Sequence, residues 1–280
     1  MRGAMSSDSG FPMKGYVDIH VHILPGFDDG ARTEDQAVIM ADIASKSGTM
    51  KVVATPHIDP SGLAPNCSKA QSVRETTLCI QESIDSHGIP VEVVPGMEIA
   101  IAPGLVEHLI RGAIIPISNS TRYVLVELPF QSIPSYAEDE IFNMAAHGYI
   151  PIIAHPERNV EVIRNPNVLM PFLKAGALTQ VNAGSLLGRG GRASQEAAEI
   201  LITHGFAHII ASDGHSPRSR RPRLNQAFEA ASRIVGEGEA LKMVRDIPLA
   251  ITLGRDVKVK ETEVYRAPRK WWQFRRKDGS

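Results

Sequence analysis

Residues 18–30, Asp18-Ile19-His20-Val21-His22-Ile23-Leu24-Pro25-Gly26-Phe27-Asp28-Asp29-Gly30, set how the rest of the chain is read. The apolar residues Tyr16, Val17 and Ile19 lead into this stretch as a strand, which Pro25-Gly26 stops. Side chains along a strand alternate between faces, so His20 and His22 point the same way. Two imidazoles on one face at a strand end can hold a divalent metal, and Asp28 or Asp29 in the next turn can reach it. A lone His-x-His is as often a pair of surface histidines, so the downstream sequence has to decide.

Downstream, the pattern repeats. A helix is predicted from an N-cap at Thr33, with Glu34 and Asp35 in its first turn, to about Gly48. Further strands are expected at 50–55, 91–94, 123–128, 150–154, 178–181 and 207–212. Helices are expected at 68–87, 105–110, 136–147, 167–175, 195–204, 221–235 and 239–244. The strands are continuous apolar runs rather than alternating ones, which predicts a parallel sheet covered on both faces. A doubly wound sheet and a barrel both fit, but no Gly-x-Gly-x-x-Gly follows the first strand.

The polar residues choose between them. His20, His22, His57, Glu98, Glu127, His155, Asp213 and His215 fall at the C-terminal ends of successive strands, and Asp29 lies in the first loop. In a (βα) barrel those ends converge on one mouth. Each residue alone has a dull explanation as a turn or capping group. Together they would form a buried, unpaired polar cluster, which is costly unless metal or substrate satisfies it. Imidazole and carboxylate without thiolate suit Mn²⁺, Fe²⁺ or Zn²⁺, and so many donors suit two or three ions with Glu98 as a bridge. His87, His108, His147, His204 and His208 are set aside as structural.

Composition bounds the reading. The 280 residues are 43% hydrophobic and 22% charged with a net charge of −1, enough for a real core and contrary to bulk nucleic-acid binding. Cys67 and Cys79 are the only cysteines and suggest no disulfide framework. No apolar run approaches the roughly 18 residues of a membrane span, so a soluble cytoplasmic protein is expected. Residues 1–13 read as a flexible leader, 14–257 as the catalytic barrel and 258–280 as a basic, aromatic tail.

The motifs resemble the polymerase and histidinol phosphatase (PHP) metallophosphoesterases. They are the 18–30 stretch, Ala-Thr-Pro-His (54–57), Gly-Met-Glu-Ile (96–99), Val-Glu-Leu-Pro (126–129), Ala-His-Pro-Glu-Arg-Asn (154–159) and Ala-Ser-Asp-Gly-His (211–215). Within that superfamily, the long first motif and Gln-Val-Asn-Ala-Gly-Ser-Leu (180–186) resemble the manganese-dependent tyrosine phosphatases of bacterial capsule and exopolysaccharide synthesis, the CpsB/YwqE type. The resemblance covers about 16–256. It implies a distorted seven-unit, TIM-like (βα) barrel and a trinuclear centre held by the nine residues above. It also implies phosphate-binding arginines at Arg158 and in the loop after His215. Arg220 is the expected one there, although spacing alone does not separate it from Arg218 or Arg221.

The activity so implied is protein-tyrosine phosphatase, a phosphoric monoester hydrolase using a metal-bound hydroxide. Its expected partner is a phosphotyrosyl protein, the cytoplasmic tail of a membrane-embedded tyrosine kinase. Family members self-associate, which makes a homo-oligomer an expectation too. A cysteine-based mechanism is disfavoured, because the arginine after Cys67 is Arg74, one position too far for Cys-x5-Arg. No Gly-x-Ser-x-Gly elbow is present either. The alternatives are another phosphomonoesterase such as histidinol-phosphate phosphatase, a phosphodiesterase or nuclease module, and a non-catalytic metal-binding scaffold. In the tail, residues 266–277 interleave cations with Trp271, Trp272 and Phe274; a solvated tail is the plainer reading and weak contact with an anionic membrane surface the sharper one.

Overall fold

A computed structural model describes residues 15–63, 67–119 and 121–267. The leader 1–13 and the tail from 268 onward, with both tryptophans, lie outside the described residues. The first half runs β1 (Tyr16–Val21), α1 (Glu34–Lys46), β2 (Thr49–Ala54), β3 (His57–Ile58), α2 (Ser68–Ser86), β4 (Glu92–Pro95), β5 (Glu98–Ala100) and α3 (Leu105–Ile110). It continues through β6 (Tyr123–Glu127), α4 (Ala137–Ala146), β7 (Ile150–Ala154), α5 (Val160–Arg164), α6 (Met170–Lys174) and β8 (Leu178–Asn182). The last part is α7 (Ala183–Leu186), α8 (Arg192–Thr203), β9 (Ile209–Ala211), α9 (Asn225–Val235), α10 (Glu237–Leu241) and α11 (Ile247–Thr252).

Local chemistry explains the helices. The Thr33 side chain accepts from the Gln36 N–H at the start of α1, with Glu34 and Asp35 in the first turn and Lys46 in the last. Along α2, Ala70, Val73, Thr77, Ile80 and Ile84 are buried, a three-and-four spacing that keeps one face inward. The helix expected at 167–175 is instead a 3-10 turn, Pro166–Leu169, followed by α6. Pro171 has no N–H to give to the preceding turn, so a new helix starts there. The helix expected from 221 begins only at Asn225. The preceding loop closes on itself, with the N–H groups of His215 and Ser216 both donating to Arg220 O. Gly214 packs so tightly that an added Cβ would lie 2.8 Å from Pro222 Cβ.

All strand pairings are parallel, in a three-stranded sheet ordered β1-β2-β4 and a six-stranded sheet ordered β3-β5-β6-β7-β8-β9. The two sheets are joined end to end. Gly96 N–H donates to Ala54 O and Glu98 N–H to Pro56 O, carrying the pairing over the breaks between β2 and β3 and between β4 and β5. On the other side, β1 meets the chain after β9 through a Val21–Gly214 bridge, with His22 N–H donating to Gly214 O and Asp213 N–H to His20 O.

The strands are buried on both faces and divide between two cores. Val53, Tyr123, Leu125, Ile152, Ala154, Ile209 and Ala211 join the smaller core, while their neighbours Val52, Val124, Val126, Ile153 and Ile210 join the larger one. This two-residue alternation aims the site. The face bearing Tyr123 and Leu125 ends in Glu127. The face with Leu178 continues to Gln180 and Asn182, and the face with Ile209 and Ala211 reaches Asp213. In β1, the register against β2 shifts between Asp18 and Val21, where His20 lies.

The described part of the tail has no regular secondary structure but is held in place. Thr262 Oγ1 donates to Gly205 O, Glu263 N–H to His204 O, and Tyr265 exchanges two hydrogen bonds with the Asn167 side chain.

Candidate metal centre

His57 and Glu98 do not sit at the ends of long strands, as their sequence positions suggest. They are the first residues of the short strands β3 and β5 and pair with each other in register. Thr55-Pro56 and Gly96-Met97 interrupt the strands just before them, which turns both side chains toward the mouth. His155 and Asp213 follow β7 and β9 with left-handed backbones, at φ 31° and φ 51°. Non-glycine residues rarely adopt this conformation, and it is tolerated where the surroundings enforce it. The loop from 25 to 31 folds back so that Ala31 N–H donates to His22 O, and an added Cβ at Gly30 would fall 2.2 Å from that oxygen.

The nine side chains meet around Glu98. Its Oε2 lies 3.1 Å from His20 Nε2, 3.2 Å from His22 Nε2 and 2.9 Å from His57 Nδ1, and its Oε1 lies 3.0 Å from His155 Nε2. Glu127 stands 3.5 Å from His155 and 3.8 Å from His57. Asp213 Oδ1 is 3.5 Å from His20, 3.4 Å from His22 and 3.3 Å from His215. Asp29, exposed on the rim, is 3.2 Å from His215 Nε2 and 3.9 Å from His57 Nε2.

Three overlapping sets have donor atoms within 4.8 Å of one another: His22, Asp29, His57 and His215; His20, His22 and Glu98; His57, Glu98 and Glu127. That span is close to the roughly 4 Å separating opposed ligands of one ion with bonds near 2 Å. His155 and Asp213 border these sets through Glu98, Glu127, His20 and His22. Within the cluster, two buried atoms lack a hydrogen-bond partner, Glu98 Oε2 and His215 Nε2. A carboxylate oxygen facing three ring nitrogens, and a buried ring nitrogen 3.2 Å from the Asp29 carboxylate, fit cations lying between them.

The electrostatics agree. Burial alone would depress the His20 and His22 imidazoles, yet Glu98 and Asp213 beside them raise both. His57 is also raised, because Glu98 outweighs its partial burial. Burial likewise opposes ionisation of Glu98 and Asp213, but the surrounding imidazoles hold both well below the usual carboxylate range. Glu127 is raised by burial and by the Glu98 charge. His215 is pushed down to about 4 by burial and by His22. The buried carboxylates therefore favour the positive form of the His20, His22 and His57 imidazoles. Neutral imidazole ligands would leave the balancing of those carboxylates to cations.

A surrounding layer holds the cluster in place, and sequence reading found little of it. Asp28 Oδ2 lies 2.7 Å from His22 Nδ1 and accepts the His57 N–H at 2.8 Å, while Gln180 Oε1 lies 2.8 Å from His20 Nδ1. Both imidazoles thereby present Nε2 to the centre. Asn182 Nδ2 donates to Asp213 Oδ2 at 2.6 Å, and Asp18 Oδ1 accepts the Ser212 N–H. The available signal was Gln180 and Asn182, polar residues two apart in an otherwise apolar run. Of the arginines after His215, Arg220 is the one that reaches the cluster, 2.6 Å from Asp213 Oδ2. Arg158 lies 3.4 Å from the same oxygen and 4.4 Å from the centre of the Phe130 ring. Arg221 instead bonds Pro217 O. The five histidines set aside lie elsewhere. His87, His147 and His204 end α2, α4 and α8 with Nδ1 against the carbonyl four residues back, His108 faces Arg111, and His208 sits before β9.

A cleft of about 460 Å³ opens over the cluster, lined by His57, Glu127, His155, Arg158 and Arg220 and by the apolar Phe130 and Ile58. Among the described residues, no helix is long and apolar enough to cross a membrane.

Comparison with known proteins shows the family. Tyrosine-protein phosphatase YwqE of Bacillus subtilis is 32% identical over 252 residues, covering 90% of this chain and 94% of YwqE. Tyrosine-protein phosphatase CpsB of Streptococcus pneumoniae is 24% identical, covering 85% and 98%. A crystal structure from work on YwqE and CpsB, described as metal-dependent tyrosine phosphatases, superposes with a TM-score of 0.83 at 30% identity, covering 89% of this chain and 99% of that one. The family model for capsular polysaccharide synthesis proteins, CpsB/CapC, matches residues 16–252, and the chain belongs to that family.

Proposed function

We propose that this chain is a metal-dependent protein-tyrosine phosphatase acting in capsular or exopolysaccharide synthesis. The observation that carries the reading is the pairing of Arg158 and Arg220, both on Asp213 and both lining the cleft above the imidazole–carboxylate cluster. Two guanidinium groups beside a set of metal donors suit a phosphoryl group that needs positive charge from two directions. The tyrosine substrate is supported by the activity named for YwqE and CpsB. It is also supported by Phe130 and Ile58, which offer an aromatic ring an apolar wall.

His20, His22, Asp29, His57, Glu98, Glu127, His155, Asp213 and His215 would hold two or three divalent ions, with manganese first and iron or zinc as the alternatives. The chemistry such ions supply when bound is Lewis-acid charge and water acidified toward neutrality. The chain's own residues do the rest. Arg158 and Arg220 orient the equatorial phosphoryl oxygens and stabilise the charge that builds on them. Asp213, itself held by the Asn182 side chain, holds those arginines at the rim, and the Phe130 ring packs against Arg158. Asp28 and Gln180 fix the imidazole orientations before substrate arrives.

The two sheets are read as one distorted barrel of seven βα units. The backbone bonds across the β2–β3 and β4–β5 breaks and the Val21–Gly214 bridge support closure. The substrate is a phosphotyrosyl protein, the tail of a membrane-embedded tyrosine kinase, met in the cytoplasm. For residues 266–277 a solvated tail remains the plainer reading, with weak contact with an anionic membrane surface the sharper one, and self-association is the expectation carried by the family resemblance.

The deciding experiment compares initial rates on a phosphotyrosyl peptide, p-nitrophenyl phosphate and histidinol phosphate, with Mn²⁺ and again after chelation. Hydrolysis of the first two, lost on chelation and regained with Mn²⁺, is expected. Preference for histidinol phosphate would make the chain a different phosphomonoesterase. Inactivity toward all three with metal bound would leave a scaffold.

A further inference from the structure

Beside the cleft over the metal centre lies a second one, of about 340 Å³, on the far side of Arg158 and Arg220. Those two arginines and Asp213 form the wall common to both. Three more arginines, Arg189, Arg221 and Arg223, line the second cleft, and Asp213 is its one acidic lining residue. The catalytic reading assigns these three no role.

Their partners make the charge available. Among the described residues, the Arg189 side chain bonds only the neutral Gln226 side chain, through Nη2 at 2.9 Å. Arg221 uses Nε on the Pro217 carbonyl. Arg223 is half-buried and has no side-chain hydrogen-bond or ion-pair partner among the described residues. Elsewhere on the surface, cations such as Lys46, Arg192 and Lys242 are matched to carboxylates on their own helices or nearby. In a chain of net charge −1, a concave site with this excess of guanidinium is a local feature of the surface, not a reflection of overall composition. Walls of one sign concentrate the field, and guanidinium groups suit planar or tetrahedral oxyanions.

We propose that this cleft binds a second anionic side chain of the same polypeptide substrate while its phosphotyrosine occupies the first cleft. The preferred substrate is then a peptide carrying another phosphate, or acidic residues, close to the scissile group. The proposal rests on the phosphatase reading for its first site but has a readout of its own. Arg189 and Arg223 are the residues to change, because Arg221 also braces the loop that presents Arg220.

The test uses the Mn²⁺-loaded full chain and an R189Q/R223Q variant. Three phosphotyrosyl peptides are compared, with neutral flanks, glutamate flanks and a second phosphotyrosine. Turnover is followed at low salt, and binding is followed with the phosphonate analogues. The wild type is expected to favour an anionic-flank peptide by on the order of tenfold in kcat/KM, carried mainly by KM. The double variant should lose that preference, with p-nitrophenyl phosphate turnover unchanged. Which anionic arm gains more separates phosphate from carboxylate recognition. Equal treatment of all three peptides by the wild type, or a preference that survives in the variant, would overturn the proposal. If nothing is hydrolysed, the phosphatase reading fails, and binding of the phosphonate peptides still decides the second cleft.

Discussion

Two places in this molecule bury a histidine almost completely, and they treat it in opposite ways. His208, before β9, is 6% exposed, and burial pushes its imidazole down to about 4. Its Nδ1 accepts the Thr179 N–H at 3.1 Å, an arrangement made for the neutral ring. His20 and His22 are no less buried, yet Glu98 and Asp213 raise both. Burial alone therefore does not make an imidazole reactive. The number of carboxylates buried with it does, and only the mouth of the fold gathers them.

The sharpest way to break this contrast is Glu98→Gln, which removes the charge that His20, His22, His57 and His155 face while keeping its shape. Phosphatase activity should fall about a thousandfold, equivalent to about 4 kcal/mol, with bound manganese falling in the same preparation. Near-normal rates with full metal content would show that Glu98 is not the hub.

Next in size is the effect of metal on stability. If the cluster is a cation site, manganese at a thousandfold excess over its Kd should stabilise the fold by about 4 kcal/mol per independent site. Chemical unfolding with metal and with chelator measures this, and coincident curves would reduce the cluster to a self-contained ion-pair network.

The His208 side of the comparison is tested by acid. Its folded pKa lies below its ordinary value of 6.5, so the unfolded chain takes up this proton first. The imidazole therefore leaves stability unchanged at neutral pH. It costs stability progressively as pH falls from about 6.5 to about 4, by about 3 kcal/mol in total. His208→Gln should remove that part of the slope, and parallel acid-unfolding curves for wild type and variant would refute it.

The smallest effect concerns the supporting layer. Asp28 is held down to about 2, the His22 imidazole prevailing over the cost of burial. Asp28→Asn keeps the size but weakens the hold on His22, so manganese affinity should drop 10- to 100-fold, a typical range for such supporting groups. Titration calorimetry reads this directly, and unchanged affinity would assign His22 orientation to packing alone.

How much of this was legible in advance follows from how local each feature is. The Thr33 cap, the α2 face and the apolar strand runs are written within one or two turns of chain, and they appear within a few residues of where sequence places them. The break before Asn225 was not legible, because it depends on Gly214 meeting Pro222 and on Arg220 O capturing two N–H groups across the loop. The helix α11 lies beyond the last helix expected from sequence, and Ile251 from it enters the smaller core. Gln180 was missed for a similar reason: its partner, the His20 ring, lies 160 residues away.

Taken alone, the order of residues determined the alternation of strand and helix and the polar residues that follow the apolar runs, because hydrophobic runs, caps and Pro or Gly stops act on near neighbours. It also supplied an imidazole–carboxylate donor set without a usable thiol. Tertiary structure alone decided which donors meet around Glu98, which arginine reaches Asp213 and which histidine stays neutral in the core. Those outcomes depend on strand register, on interrupted strands and on left-handed turns at His155 and Asp213, all of them set by contacts between residues far apart in the chain.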